Sequence, residues 1–358
     1  MRMRMDRFLY RKSDSLEEKV LLFPLYLASF PYGLGVSVRT LLYSSGLLKQ
    51  RRLPCPVISI GNITVGGTGK TPLVINMARR LGEKGISVAI LSRGYRRKKD
   101  RSPLVTDGER ILLHPEESGD EAYLIGHRLK GIPVLVGKDR FKNGLMALQQ
   151  KIKIQGFLLD DGFQHLSLYR DLNILLIDSL IGFGNGYLLP RGILREPLSA
   201  LRRADLFVLT KVKDKKDSLS LESKLKKVHP GVEIFHSHYE PIEFVNSYGE
   251  IKDLSFMKGK RVFAFSGIAR PETFSSLLEQ VGVEIKGELT FPDHHFYSPS
   301  DLERIRREAR GVDFLVTTEK DMVKLTNSHL NSMPFMALRI DVKIWEEEEF
   351  YRRVMEIF

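Results

Sequence analysis

Three groups of residues in this 358-residue chain stand at spacings suited to handling a phosphoryl group. The first is "TVGGTGKT", Thr64–Thr71, in which Gly69, Lys70 and Thr71 fall where the phosphate-loop pattern G-x-x-x-x-G-K-[ST] requires them. Such a loop turns backbone N–H groups toward phosphate oxygens, and Gly66 and Gly67 let the chain approach closely. Lys70 adds a cation, and the Thr71 hydroxyl can ligate Mg2+. Thr64, Val65 and Thr68 complete the segment as nucleotide-binding positions. Thr64 replaces the pattern's first glycine, at the end farthest from the helix N-terminus that does most of the holding.

The second group lies in "FLLDDGFQH". Asp160 and Asp161 follow an apolar run, and paired aspartates capping a buried strand are costly unless a cation or donors compensate them. Both are expected at the metal, with Asp178 of "NILLID" a structural strand-end residue. Gln164 and His165 on the same loop could orient water, phosphate or acceptor, although a lone histidine there is more often structural.

The third group pairs acids with imidazoles. "SGDEAYLIG" supplies Asp120 and Glu121, and "FPDHHFYSP" supplies Asp293, His294 and His295. An aspartate steered by a histidine makes a general base for a hydroxyl. Taken singly, each acid is more often a helix cap or a surface charge. The adjacent histidines lack further ligands at zinc spacing. Guanine recognition by N/T-K-x-D is not met, because "TKVKD" puts Lys213 at the aspartate position. A motor-type ATPase with arginine fingers from a partner is left open by these residues.

The loop needs a strand before it and a helix after it. "PVISIGNI" reads as the strand; Leu73, Val74, Met77, Ala78 and Leu81 recur at helical spacing after Lys70; "SVAILS" is the next strand. "IPVLVG", "GFLLDD", "LNILLID" and "DLFVLTK" are continuous apolar runs, which predicts a parallel sheet covered on both faces. The expected fold is therefore a P-loop-type α/β/α sandwich over residues 51–232. A β-hairpin linker follows over 233–256, and a smaller α/β lobe over 257–358, built on "RVFAFSGI", "PETFSSLLEQVG" and "DFLVTTEKD". A cleft between the lobes would suit a small molecule.

Composition narrows the partners. The 56 basic and 44 acidic side chains leave a net charge of +12, which favours anionic partners. No zinc-finger, RNP-type or basic-zipper pattern supports nucleic acid. The lone Cys55 excludes an internal disulfide framework and fits a reducing compartment. Residues 1–50 are expected to associate with a membrane. "VLLFPLYLASFPYGLGVSV", Val20–Val38, is uncharged and long enough to span, but Pro24, Pro31, Gly33 and Gly35 interrupt it and basic residues follow. That mixture suits a helix lying in the bilayer interface.

Taken in order, "VISIGNITVGGTGKTP", "LSRGY", "GDE", "LDDGFQH", "PRGILREPL", "FPDHH" and "TTEKDMVKL" resemble the tetraacyldisaccharide 4'-kinase family over about Phe30–Leu325. The resemblance implies transfer of the ATP γ-phosphate, with Mg2+, to the 4'-hydroxyl of an acylated diglucosamine 1-phosphate, a step of lipid A biosynthesis. It implies peripheral attachment at the cytoplasmic face of a bacterial inner membrane. By motif, Asp120 would be the catalytic base, assisted by His294, with Lys70 on the phosphates. Thr71, Asp160, Asp161 and Glu196 would form the metal environment. Arg93, Tyr95, Glu121, Arg140, Gln164, His165 and Arg195 would contact substrate. The acceptor's phosphate would engage arginines near Arg191 and Arg195, while Arg202 and Arg203 read as solvated. Arg51 and Arg52 would meet anionic headgroups. The alternative is a cytosolic P-loop NTPase acting as a switch or assembly factor.

Overall fold

The structure, a computed structural model, describes residues 15–94, 97, 103–150, 152–325 and 334–358. The strands are β1 (Val57–Gly61), β2 (Val88–Ser92), β3 (Leu104–Thr106), β4 (Val134–Val136), β5 (Gly156–Asp160), β6 (Leu172–Asp178) and β7 (Leu206–Thr210). The chain continues with β8 (Glu233–Asn246), β9 (Ile251–Lys252), β10 (Arg261–Ser266), β11 (Glu284–Thr290), β12 (Phe314–Thr318) and β13 (Phe335–Ile344). All belong to one sheet, in the order β11-β10-β12-β13-β8-β7-β6-β1-β5-β2-β4-β3, with β9 beside β8. The continuous apolar runs behave as their composition requires: β1, β2, β5, β6 and β7 are buried along their whole length. Pairing is parallel except at β3–β4, β8–β9 and β8–β13.

β8 joins the two halves. Glu233–His236 pair in parallel with β7, and from Ser237 onward the same strand pairs antiparallel with β13. The stretch 233–256 therefore forms a hairpin only at its far end, with β9, while its first residues complete the sheet of the first half. The end of the chain also leaves the 257–358 lobe. Phe350, Tyr351 and Val354, from the helix Glu347–Met355, share a core with Leu73, Met77 and Leu81 of the helix Lys70–Glu83.

The uncharged N-terminal run lies in one helix, Leu16–Ser44, opened by a capping box between Ser15 and Glu18 and carrying Pro24 and Pro31 inside it. Val20, Phe23, Leu27, Phe30, Leu34, Val38 and Leu41, three or four apart, are all exposed, Val20 at 71% and Leu34 at 66%. Its other face holds the protein: the Ser29 hydroxyl donates to Leu188 O at 3.0 Å and the Tyr32 hydroxyl to Arg195 O at 2.9 Å. A Cβ on Gly33 would lie 2.7 Å from Leu188 Cδ1.

If the last helix is structurally part of the phosphate-loop half, Phe350→Ala should cost about 3–5 kcal/mol. Urea unfolding followed at both halves should show the loss in the loop half. A loss confined to the other half would contradict this assignment.

Candidate active site

Gly69 caps the helix Lys70–Glu83 with φ 88, which favours glycine, and the first turn of that helix carries N–H groups without intrahelical acceptors. The loop before it is braced on every side. Thr64 forms an antiparallel bridge with Leu194, and Val65 N–H donates to Ile193 O at 2.8 Å. A buried β-branched residue suits that extended position, which accounts for threonine in place of glycine. Asn62 donates to Thr68 Oγ1 (2.9 Å), and the Thr210 hydroxyl to Thr68 O (3.1 Å). Lys211 Nζ reaches both Gly67 O (2.9 Å) and Asp178 (2.5 Å). Asp178 is a strand-end support, and Lys211 is the loop's internal prop, found in the segment that fails the guanine pattern.

The aspartate pair divides. Asp161, at φ 51, faces Lys70 at 3.5 Å and Arg195 at 3.1 Å. Burial alone would raise its pKa, but the Lys70 and Arg195 charges hold it at about 2. Asp160 is fully enclosed, with Ser92 Oγ donating to Oδ2 at 2.9 Å and no hydrogen-bond partner for Oδ1. Burial and the neighbouring Glu121 and Asp161 charges push it up to about 7. An orphaned carboxylate oxygen beside a second carboxylate fits a hard cation. No group of three acidic, histidine or cysteine ligands occurs among the described residues.

Asp120 begins the helix Asp120–Arg128 and is buried; His294 Nδ1 lies 2.8 and 3.1 Å from its two oxygens. Burial would raise the Asp120 pKa, but the His294 hydrogen bond and the Lys320 charge hold it at about 2. His294 sits at φ 59, with its N–H donating to Gly267 O at 3.1 Å.

A cavity of about 850 Å³ lies between the halves, lined by Gly66–Thr71, Glu121, Asp161, His294 and Lys320. A small recess beside it reaches Asp120 and shares Arg93, Glu121 and Asp161 with it. Phosphate loop and dyad thus open on one space. Arg93, Arg140, Gln164, His165 and Arg195 also line the cavity, as do Arg39 and Tyr32 of the N-terminal helix. Arg140 donates to His165 Nδ1 at 3.0 Å. Burial and the Arg140, Arg170 and Arg39 charges depress the His165 pKa to about 3, so its ring is a neutral prop for Arg140. Tyr95 lies outside the described residues.

Some placements differ from expectation. Glu196 stands behind the cavity wall, accepting from Gln164 Nε2 at 2.8 Å and paired with Arg203. Arg203 is therefore not a solvated cation, and its guanidinium also covers the Phe163 ring. Arg51 forks onto Asp139 at 2.7 and 3.1 Å, and Arg52 pairs with Asp171 at 2.8 Å, while both side chains keep much of their surface exposed. Lys320, Lys211 and Tyr239 were given no role by the sequence. A Cβ on Gly69 would meet the Tyr239 hydroxyl at 2.3 Å.

A parallel sheet with a glycine-rich loop between β1 and its helix, a lysine on that helix and an acid facing it define a P-loop nucleotide-binding protein. The family profile described as Tetraacyldisaccharide-1-P 4'-kinase matches residues 20–358. A tetraacyldisaccharide 4'-kinase of Syntrophus aciditrophicus is 43% identical over 342 residues, covering 91% of this chain and 90% of that protein. One from an Anaeromyxobacter species is 41% identical over 336 residues, covering 93% and 90%. A crystal structure of Aquifex aeolicus LpxK in complex with ATP superposes with a TM-score of 0.75 at 36% identity, covering 94% of this chain and 99% of that one. The chain belongs to the tetraacyldisaccharide-1-P 4'-kinase family.

Gly69→Ala combines an unfavourable φ with the Tyr239 clash, on the order of 1–3 kcal/mol together. It should raise the ATP Kd about tenfold or more in a fluorescent-nucleotide titration. An unchanged Kd would remove the loop from nucleotide binding.

Proposed function

We propose that this chain is an ATP-dependent kinase that phosphorylates the 4'-hydroxyl of tetraacyldisaccharide 1-phosphate. The observation that carries the proposal is the shared space: the phosphate loop and His294 line one cavity, Asp120, bonded to His294, lines the recess beside it, and the cavity rim includes the lipid-suited N-terminal helix. ATP is the donor, consistent with the ATP bound by the Aquifex relative. The switch or assembly-factor alternative gains nothing from these residues.

In this mechanism the loop N–H groups and Lys70 hold the β- and γ-phosphates. Asp120 takes the proton of the 4'-hydroxyl as its oxygen bonds to the γ-phosphorus, while the bond to the β-phosphate oxygen breaks and ADP leaves. Held ionised by His294, Asp120 is a weak base, suited to a loose transition state in which the hydroxyl loses its proton late. Thr71, Asp160 and Asp161 would hold Mg2+, and Glu196 would act behind them by fixing Gln164 and Arg203. Bound there, the ion would neutralise charge developing on the phosphates. Arg93, Tyr95, Glu121, Arg140, Gln164, His165 and Arg195 would position the acceptor, with Arg140 held by His165.

The exposed stripe of the N-terminal helix would rest in the cytoplasmic leaflet of a bacterial inner membrane. It is long and apolar enough to cross a bilayer, and only 11% of its most apolar window is buried within the protein. The contacts of Ser29, Gly33 and Tyr32 hold one face on the protein, which favours lying along the surface with the outer face in lipid.

Radiolabelled γ-phosphate should pass to the disaccharide lipid presented in mixed micelles. Asp120→Asn should cut kcat about 10²–10⁴-fold while leaving the ATP KM nearly intact. ATP hydrolysis without transfer would sink the proposal. With Asp120 at about 2, its own protonation should not lower wild-type kcat above about pH 5 when Mg2+ is saturating. In His294→Asn the largest opposing influence on burial is gone, so the carboxyl protonates at higher pH and kcat should fall through about pH 5. Two superposable profiles would deny that His294 acts on Asp120. Leu27→Asp with Leu34→Asp should abolish flotation with anionic vesicles, without loss of the folded core; continued flotation would place the lipid contact elsewhere.

A further inference from the structure

Lys320 helps hold Asp120 ionised by its charge, but that leaves its direct contact with the His294 ring without a task. It is the second residue of a one-turn helix, Glu319–Met322, directly after β12, and that turn is fixed on both sides. Asp321 Oδ2 accepts from Gly267 N–H (3.0 Å) and the Thr318 hydroxyl (2.7 Å), and Oδ1 pairs with the fully buried Lys324 at 2.6 Å. Glu319 is gripped by Arg128 (2.5 Å) from the first half and Arg339 (2.8 Å) from β13. The Lys320 side chain therefore leaves a rigid base. Its Nζ lies 3.1 Å from Glu121, 3.4 Å from Asp293 and 3.3 Å from His294 Nε2.

The chemistry of an ammonium group decides what that last contact means. Three hydrogens and no lone pair make Lys320 a donor only. Burial would favour the neutral amine, but the Glu121, Asp120 and Asp293 carboxylates outweigh it and raise the Lys320 pKa. His294 Nε2 must then carry its lone pair toward Lys320, which leaves the ring proton on Nδ1, facing Asp120. Another group competes for the same nitrogen: an Asp293 oxygen lies 3.7 Å from Nε2, and a carboxylate there favours a proton on Nε2. Lys320 tips that contest.

We propose that Lys320 is the positioning residue of the dyad: its ammonium donates to His294 Nε2 and so fixes the neutral tautomer whose Nδ1–H donates to Asp120. With Nε2 engaged, the imidazole is not available as the proton acceptor. The hydroxyl proton moves to an Asp120 oxygen as the O–P bond forms and ADP departs, and His294 begins and ends the step with one ring proton. Without Lys320, Nε2 faces Asp293 and acquires a proton. Asp120 then meets either an imidazolium or, in the other tautomer, a bare Nδ1 lone pair.

Nitrogen-15 NMR of histidine-labelled full-length enzyme in detergent micelles tests this, with His294 assigned by the signal missing in His294→Gln. In wild type, Nε2 should resonate as unprotonated and Nδ1 as protonated. In Lys320→Met, Nε2 should gain a proton, kcat should fall about 10²-fold, and the ATP KM should move less than about threefold. Lys320→Arg should keep the tautomer and at least roughly a tenth of the rate. A protonated Nε2 in wild type overturns the proposal without any variant, so a Lys320→Met protein that does not fold still leaves it decidable. An unchanged tautomer in folded Lys320→Met overturns it whatever the rate. Only the kinetic arm rests on the kinase proposal; failure of that proposal would appear as no lipid phosphorylation by wild type, with the spectra still readable.

Discussion

Asp120 is buried at the start of a helix in one half of the molecule, and the groups that keep it charged, His294 and Lys320, come from the other half. A carboxylate enclosed without such partners would cost several kcal/mol or take up a proton, so the charged site exists only while the halves stay in register. The rest of the fold enforces that register. β8 gives its first residues to one half and its remainder to the other, with the change between His236 and Ser237. Arg339, on the neighbouring strand, grips Glu243 of β8 and Glu319, and Glu319 is also held by Arg128 at the end of the Asp120 helix. Arg79 of the loop helix pairs with Asp341 of β13. One connected set of ion pairs thus spans from the Asp120 helix to the strand that both halves share.

The phosphate loop solves a different electrostatic problem. It must hold several negative charges without repelling its own acids, and the two adjacent aspartates sit in opposite surroundings. The positive φ of Asp161 turns it toward Lys70 and Arg195, where it stays ionised. Asp160 continues the strand into the interior, where its carboxyl has only Ser92 to satisfy it. Lys211 carries a further cation beneath the loop, but Asp178 neutralises it, so its contribution at Gly67 O is shape rather than charge. The field at the loop is consequently set by Lys70 and Arg195 against Asp161, a balance that stays net positive and suits phosphate.

Much of this was legible in the sequence where the cause is local. Continuous apolar runs gave β1, β2 and β4–β7, and the loop glycines, Lys70 and the aspartate pair follow from spacing alone. What was not legible depends on partners distant in the chain. His294 and Asp120 are 174 residues apart, and nothing in either local pattern sets which histidine nitrogen faces the acid. Arg51, Arg52 and Arg203 read as free cations because Asp139, Asp171 and Glu196, which bind them, lie elsewhere in the sequence. The aromatic-rich stretch 233–256 reads as a linker because Pro241 and the turn residues break its periodicity. Each segment of β8 has a separate neighbour that only the assembled sheet supplies.

The N-terminal helix belongs to the same electrostatic system as the loop, although its composition suggests only an anchor. The Tyr32 hydroxyl donates to Arg195 O, the Arg195 guanidinium pairs with Asp161, and Asp161 pairs with Lys70. Burial raises the Tyr32 pKa, so the hydroxyl remains a neutral donor. Three contacts therefore lead from a helix suited to lipid to the lysine expected on the phosphates. Arg39, one helical turn beyond Val36 on the same helix, lines the cavity and adds to the charges that keep His165 neutral beneath Arg140. An acceptor held by its acyl chains along the outer face of this helix would bring its sugar to a rim whose polar groups are fixed by the inner face. On the proposed function, lipid attachment and acceptor positioning would both follow from one helix with two chemically distinct sides.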